Sequence, residues 1–284
     1  MSTGSKPKPP SVNVFVPEEP ADHVKHLNAM AKGIPGARIL PLKNGYSPCD
    51  IAIIFGVGKR QVPASYDRGA IVYEHRFRER KPIVIIERGF VRRDKYYGVA
   101  LDGLNGLGYF GNKNSPKDRW SKLKTEIKPW RNDGDYFLVC GQVPWDASVQ
   151  HTDHTAWVQN TIKLVESLTD MPVLFRPHPD VKGKVDYGVP ERDTTWDEDL
   201  AGAKAVITFN STSSAMAILE GIPIFAADPG CIAWDVACHE ITKETLLVPP
   251  KLAREQWAYD LAYAQWTAEE METGQPWRQL AGDE

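Results

Sequence analysis

Short apolar runs rich in β-branched residues, several of them ending in glycine or a polar residue, constrain the fold of this chain most. In the first half they lie at residues 12–16, 37–42, 50–56, 69–74 and 82–89, with a helical pattern at 22–32. A second series lies at 136–142, 173–178, 203–211 and 223–228, and helical stretches at 153–168 and 213–221 alternate with these runs. Such alternation is typical of parallel sheets that are buried on both faces. The sequence therefore predicts an α/β protein with two parallel-sheet domains.

The domain boundaries follow from where this series stops and restarts. The polar, proline-rich residues 1–10 indicate a disordered lead-in, and 11–130 and 136–250 are the two predicted domains. Residues 98–119 are rich in Gly and Asn, which favours a long loop, with a helix at 118–127 and a linker at 128–135. The last part, 251–284, has a helical pattern with several aromatic residues, and we expect it to brace the first domain.

The composition is that of an ordinary globular protein. Apolar residues make up 42% of the 284 residues, and no apolar run approaches the roughly 18–20 residues of a membrane span. The start of the chain lacks the apolar centre of a signal peptide. Four widely spaced cysteines favour reduced thiols. These features predict a cytoplasmic protein.

The net charge of −3 conceals an uneven distribution along the chain. Between residues 59 and 131 there are 18 basic and 8 acidic residues, so the remainder of the chain is strongly acidic. A basic segment in an acidic protein is typical of a surface that meets a polyanion, although scattered charges on a solvated surface give the same count.

Polar groups follow three neighbouring strands of the predicted second sheet. Ligands of parallel sheets lie beyond the carboxyl ends of the strands, so these groups are expected to share one site. Three kinds of side chain suit a phosphate group, because each can donate a hydrogen bond to it. They are small hydroxyls at a helix start, an Arg directly before a proline, and a His between two prolines. The three groups are Gly141 and Gln142; Arg176 and His178 in "RPHP"; and Ser211, Thr212, Ser213 and Ser214.

At this point the chain resembles a family. "RPHP" followed by "STSSAMAILEGIPIFA" resembles the donor-binding half of GT-B glycosyltransferases, above all bacterial capsule and polysialic-acid type transferases and glycerophosphotransferases. The resemblance implies two Rossmann-like domains that face a cleft, with the donor bound by 136–250 and the acceptor by 11–130. It implies that His178, Ser213 and Ser214 contact the donor phosphate, and that Glu220 contacts the ribose or sugar. A nucleotide-sugar donor is implied, with a UDP-sugar favoured, a CMP- or GDP-sugar as alternatives, and no required metal.

Transfer of a sugar with inversion needs a base near the acceptor hydroxyl. We expect this base in the first domain, as GT-B enzymes usually place it there. Asp102 in the Gly/Asn-rich loop is favoured, and Glu74, His75 and Glu87 at the ends of predicted strands are the alternatives.

The acceptor is predicted from the basic segment, where cations alternate with aromatic residues as in nucleic-acid binding surfaces. Its candidate contacts are Arg76, Arg78, Arg92 and Arg93. A compact GT-B enzyme with such a face resembles the phage enzymes that glycosylate hydroxymethylated pyrimidines in DNA. This resemblance implies DNA as the acceptor and, for a phage-encoded protein, the host cytoplasm as its location.

Three other functions remain open from the sequence. One is a glycan- or lipid-directed glycosyl or glycerophosphoryl transferase, in which the basic face meets an anionic polymer or membrane surface. The second is a nucleotide-sugar epimerase, which would consume the donor without an acceptor. The third is a binding protein that has the nucleotide fold without turnover.

Overall fold

The computed structural model of the protein describes residues 9–58 and 68–282, and it contains two β-sheets. The strands are β1 (Val12–Val16), β2 (Arg38–Pro41), β3 (Ile51–Phe55), β4 (Ile83–Arg88), β5 (Tyr97–Leu101), β6 (Tyr136–Cys140), β7 (Val173–Arg176), β8 (Ala203–Thr208), β9 (Ile224–Ala226) and β10 (Gln265–Trp266).

Helices follow most of the parallel strands. The α-helices are α1 (Ala21–Lys32), α2 (Arg68–Val72), α3 (Asp118–Leu123), α4 (His154–Leu168), α5 (Trp196–Ala201), α6 (Ser213–Leu219), α7 (Lys243–Leu247), α8 (Glu255–Tyr263), α9 (Ala268–Glu272) and α10 (Gln275–Ala281). A π-helical stretch, Tyr73–Arg78, continues α2, and short 3₁₀ turns lie at Leu42–Asn44, Asn105–Leu107, Pro179–Val181 and Trp234–Val236.

The first sheet has six strands in the order β10-β5-β4-β3-β1-β2. The pairs among β1 to β4 are parallel, whereas β5 runs antiparallel to β4 and β10 antiparallel to β5. Apolar residues cover both faces: Val84 and Ile86 pack with α1, and Ile83 and Ile85 with α2. This two-sided burial explains why these strands are continuous apolar runs in the sequence.

The second sheet is wholly parallel, in the order β7-β6-β8-β9. Its two faces also have separate apolar cores, one around Leu138 and Val206 and the other around Phe137 and Ile207. The predicted fold class, an α/β protein with two parallel-sheet domains, is confirmed.

Three local predictions of secondary structure are wrong. Residues 69–74 were predicted as a strand, but α2 and the π-helical stretch occupy them, and Ile71 and Val72 pack from this helix against the first sheet. The predicted loop at 98–119 contains most of β5, whose pairing with β4 overrides its glycine content. The predicted C-terminal helix is interrupted by β10.

The C-terminal segment returns to the first sheet, where β10 pairs with β5 and α9 packs against α1. Buried Gln265 holds this junction: its Oε1 accepts from the N–H groups of Phe90 and Val91 at 2.7 and 3.0 Å, and its Nε2 donates to the Val91 carbonyl. The described residues include no helix that is both long and apolar enough to cross a membrane.

Candidate functional site

Two buried amides fix the carboxyl ends of β6 and β8 relative to each other. The Gln142 Nε2 donates to Asn210 Oδ1 at 2.8 Å, and the Asn210 N–H donates to Gln142 Oε1 at 3.1 Å. The Gln142 N–H donates to His154 Nε2, and burial lowers the pKa of this histidine to about 4, so it stays a neutral acceptor. The edge of the second sheet is therefore rigid where a ligand of a parallel sheet would lie.

A cavity of about 180 Å³ lies against this edge, between the two domains. Among the described residues, the second domain lines it with strand-end and loop residues that include Gln142, Asp146, His178, Ser211 and Thr212. The first domain supplies Glu87, Arg88, Arg93, Leu104 and Asn105. The structure thus brings together six of the predicted site residues, from both domains, around one space: Glu87, Arg93, Gln142, His178, Ser211 and Thr212. We call this space the donor cavity, after the role that the sequence analysis predicts for most of these residues.

The first domain contributes one carboxyl group, Glu87, and two cations, Arg88 and Arg93, to the donor cavity. Burial raises the pKa of Glu87, and the charge of Asp146 across the cavity raises it further, against the opposing effect of the Arg88 N–H and of Arg68 and Arg93. Burial also lowers the pKa of Arg93, whose Nη1 donates to the Thr212 hydroxyl at 2.9 Å across the cleft. Arg93 was predicted to meet the acceptor, but its position is beside the hydroxyls of the second domain.

His178 is oriented by its own turn. Its Nδ1 accepts from the Asp180 N–H at 3.2 Å, so in the neutral ring Nε2 carries the proton and is the donor. The side chain is about 40% exposed and lines the donor cavity, which suits the predicted contact with a phosphate.

The serines of the predicted cradle divide into two groups. Ser211 and Thr212 line the donor cavity, and the Ser213 hydroxyl donates to Ser211 Oγ at 2.9 Å. Ser214 is fully buried: its hydroxyl donates to the Ser211 carbonyl and accepts from the Cys231 thiol. Ser214 therefore stabilises the turn at the start of α6 from its buried side.

Gly141, Arg176 and Glu220 are not among the described residues that line the donor cavity. The Gly141 N–H donates to the Arg176 carbonyl at 2.9 Å, and a side chain at 141 would press on the Phe175 ring. The Arg176 guanidinium is paired with buried Asp199 and donates to the Thr194 carbonyl. Glu220 follows α6 at the end away from Ser213 and pairs with Lys128.

A larger cavity of about 560 Å³ adjoins the donor cavity and shares Leu104, Asn105, Ser148 and Asn210 with it. We call it the acceptor cavity, after the role that the sequence analysis predicts for the domain that forms most of its walls. Its described walls are mostly apolar and aromatic, and include Val72, Tyr73, Phe77, Ile83, Ile85 and Leu107. Its polar walls include Arg76, Asp102 and, from the second domain, His151.

Asp102 lies at the far end of β4 from Glu87, because β5 is antiparallel and its carboxyl end reaches the start of β4. Both carboxylate oxygens are engaged: Oδ1 accepts from the Ile83 N–H at 2.9 Å, and Oδ2 lies 3.3 Å from Arg76 Nη2. Asp102 and Arg76 thus line the acceptor cavity as an ion pair, at a distance from the donor cavity.

Glu74, Arg78 and Arg92 are absent from the described linings of both cavities. Glu74 and Arg78 form an ion pair one helical turn apart, with 2.7 Å between Oε2 and Nη1. Arg92 pairs with Asp94 and donates to the Leu123 carbonyl.

The loop after β6 supplies cavity residues that the sequence analysis missed. Asp146 and Ser148 lie in the donor cavity, and Ser148 and His151 in the acceptor cavity. A signal was present, since this loop directly follows Gln142 at the end of a predicted strand and is rich in polar side chains. Among the described residues, no group of three or more His, Cys, Asp or Glu side chains is placed to hold a metal ion.

Comparison with solved structures shows the same fold in another protein. The Thermosulfurimonas dismutans KpsC, beta Kdo 2,4 transferase, matches 90% of this chain and 92% of its own with a TM-score of 0.57 at 14% identity. The beta Kdo 2,7 transferase of the same KpsC matches 96% of this chain and 98% of its own, with a TM-score of 0.47 at 14% identity. Methanocaldococcus jannaschii UDP-GlcNAc 2-epimerase, solved with UDP-GlcNAc and UDP, matches 96% of this chain and 99% of its own, with a TM-score of 0.37 at 11% identity.

Only the first of these matches is strong enough to establish a shared fold, and at 14% identity it establishes nothing beyond the fold. No protein-family model and no curated protein sequence matches the chain. The chain has a GT-B-like fold, in which two parallel-sheet domains face a cleft.

Proposed function

We propose that the protein is a glycosyltransferase that moves a sugar from a nucleotide-sugar donor to a hydroxyl acceptor. The observation that carries this proposal is the donor cavity, where side chains from the carboxyl ends of strands in both sheets meet. His178, Ser211 and Thr212 offer hydrogen-bond donors on one side, and the Arg93 guanidinium offers charge on the other. Several such bonds, each worth about 1.5–3 kcal/mol to a charged partner, can hold a phosphate.

The size and charge of the donor cavity suit the reacting part of a donor. Its volume of about 180 Å³ fits a phosphate and part of a sugar, so in this proposal the nucleoside lies outside it along the second domain. Arg93 would stabilise the charge of the leaving phosphate. Glu87, when ionised, would face the positive charge that develops on the sugar ring in the transition state.

The fold shared with a KpsC beta Kdo 2,4 transferase supports transfer to a glycan as the first acceptor class to test. The acceptor cavity fits this class, because aromatic rings such as Tyr73 pack against the apolar faces of sugars. The identity of the donor nucleotide stays a prediction, with UDP-, CMP- and GDP-sugars as candidates.

DNA as the acceptor also stays a prediction. Cations of the basic segment are in many cases paired with nearby acids, which weakens the field that DNA would meet. The paired cations of this segment are Arg76, Arg78, Lys81, Arg88, Arg92, Arg119, Lys122, Lys128 and Arg131.

The proposed function is tested by donor binding and turnover. We would titrate the protein with UDP-, CMP- and GDP-sugars by calorimetry, then incubate each bound donor with acidic oligosaccharides and with duplex DNA that contains 5-hydroxymethylcytosine or 5-hydroxymethyluracil. Mass spectrometry would identify the product. We expect a sugar mass added to an oligosaccharide. Addition to DNA would instead support the phage-type prediction, consumption of donor without acceptor would support an epimerase or hydrolase, and the lack of any donor binding would refute the proposal.

A further inference from the structure

A histidine of the acceptor cavity and an aspartate lie together beside Asn210, which lines both cavities. His151 Nε2 lies 3.1 Å from Asp228 Oδ2, and His151 lines the acceptor cavity. Both residues belong to the second domain, whereas the base predicted from the sequence belongs to the first. This pair has no part in the donor contacts described above.

Asp228 is held firmly in place. Its Oδ1 accepts from Asn210 Nδ2 at 2.9 Å and from the Gly230 N–H at 2.8 Å, which leaves Oδ2 directed to His151. Its side chain is only 16% exposed. Since Asn210 lines both cavities and is itself bonded to Gln142, the aspartate is fixed relative to the donor cavity.

The contact with Asp228 also sets the tautomer of the histidine. A carboxylate only accepts, so in the neutral ring Nε2 carries the proton and Nδ1 keeps its lone pair. Nδ1 has no hydrogen-bond partner among the described residues, and the ring packs 5.5 Å from that of Phe209. The result is an oriented imidazole with one basic nitrogen on a cavity wall, which is the arrangement that general-base catalysis requires.

We propose that His151 removes the proton from the acceptor hydroxyl and that Asp228 is its positioning residue. This inference rests on the proposed function. In the bond-forming step the acceptor oxygen bonds to the sugar carbon while its proton moves to His151 Nδ1. In a direct displacement the bond from that carbon to the phosphate oxygen breaks, and its electron pair leaves with the nucleotide.

Asp102 is less suited to this task. Its two oxygens are engaged by the Ile83 N–H and by Arg76, and it lies at the far end of β4 from Glu87. His151, in contrast, is three residues from Ser148, which lines both cavities. The acceptor hydroxyl that reacts must lie at this junction, because the sugar comes from the donor cavity.

The first test separates transfer from donor binding. We expect His151→Gly to slow transfer about 10²- to 10⁴-fold, the usual contribution of a general base. Donor affinity in calorimetry should stay within a factor of about two, and added imidazole should restore part of the transfer rate. His239→Gly is the matched control, because the His239 ring is exposed, stacks on Trp234 and is absent from the described linings of both cavities.

The second test concerns Asp228. In Asp228→Asn the retained oxygen can still accept from Asn210 and Gly230, but the new amide donates to His151 Nε2. The ring proton must then move to Nδ1, which can no longer act as a base. We expect kcat to fall at least about 100-fold while the KM for the donor and the melting temperature change little.

Each outcome decides between the two proposals. If the wild-type protein binds no nucleotide sugar, the proposed function fails and this inference fails with it. If the wild-type transfers sugar and His151→Gly or Asp228→Asn does so at the wild-type rate, the inference is wrong and the function stands. If His151→Gly loses donor affinity as much as transfer, or imidazole restores nothing, His151 has a structural role and the inference is also wrong.

Discussion

At the scale of single residues, Glu87 is the carboxyl group whose surroundings differ most from water in the donor cavity. Burial raises its pKa, and the nearby charge of Asp146 acts in the same direction. In the proposed reaction the ionised form is needed, so activity should require a higher pH than an exposed glutamate would impose. The rate kcat/KM should therefore fall as the pH falls through this raised pKa.

Glu87→Gln should remove the part of that acid limb that comes from Glu87, and it should lower kcat about 100-fold or more, because the amide carries no negative charge to stabilise the positive charge. Glu166→Gln, an exposed change on α4, is the control. Pre-steady-state measurement of sugar transfer from pH 5 to pH 9 checks both statements. An unchanged pH profile in Glu87→Gln would contradict the assigned role.

The same residue predicts a pH-dependent effect on stability. Below the ordinary glutamate pKa, Glu87 is neutral in the folded and the unfolded chain, so its charge does not lower the free energy of unfolding. As the pH rises through the raised folded-state pKa, folding opposes its ionisation, so the native state loses stability. Glu87→Gln should thus raise the melting temperature at pH 8 and leave it unchanged at pH 4, and an equal gain at both values would show that burial of the charge is not the cause.

At the scale of elements, Asp199 joins the end of β7 to α5. Its side chain is fully buried and accepts from Arg176, from Arg192 Nε at 2.8 Å and from the Thr194 hydroxyl at 2.6 Å. Burial works to raise the pKa of Asp199, but the hydrogen bonds from Thr194, Arg192 and Arg176 outweigh it and leave the pKa lowered. The guanidinium of Arg176 thus anchors the strand end that presents His178.

Asp199→Asn should destabilise the protein by about 3–5 kcal/mol, because it leaves a partly buried cation without its counter-charge. In the wild type, the stabilisation should be fully present above the ordinary aspartate pKa and be lost as the pH falls through the lowered folded-state pKa. Urea unfolding between pH 2 and pH 7 measures this. Asp197→Asn on the exposed side of the same helix is the control, and an equal loss in both variants would contradict the role of the buried pair.

The elements also show what the sequence could predict. Periodicity identified the parallel strands, and the rule that ligands lie beyond strand ends correctly selected Gln142, His178 and Ser211 as neighbours. Periodicity could not identify β5 or β10. A strand that contains glycine, like β5, or that has only two residues, like β10, forms because a partner strand already lies beside it. His151 and Asp228 are 77 residues apart, and no local pattern indicates that the chain brings them together.

At the scale of the whole molecule, function depends on how the two domains meet. The Gly106 N–H donates to the Gly230 carbonyl at 3.0 Å, and Arg93 donates to Thr212. The C-terminal segment contacts both domains, since β10 joins the first sheet and Trp257 donates to the Ile232 carbonyl of the second domain. Both cavities lie along the contact between the two domains. A small change in this contact should therefore lower the rate of transfer while each domain keeps its own structure.

Gly106→Ala tests this dependence. A Cβ at position 106 would lie 2.4 Å from the Cys231 carbonyl oxygen and 2.5 Å from that of Pro229, distances that force the two backbones apart. The donor contacts His178 and Ser211 belong to the second domain alone and should persist. We therefore expect transfer to fall about tenfold or more, whereas nucleotide affinity falls by a smaller factor, because Arg93 is the one proposed phosphate contact that comes from the first domain.

The control for Gly106→Ala is Gly183→Ala, where a Cβ meets nothing within 4 Å and the cost is only that of a positive φ. Calorimetry with the donor and a transfer assay with the acceptor measure the two quantities separately. Loss of both in proportion would mean that the first domain binds the donor as strongly as the second does. If neither nucleotide affinity nor the transfer rate falls, the backbone at 229–231 moves locally and the domains keep their relative position. The contact between the domains would then be more flexible than the short distances indicate.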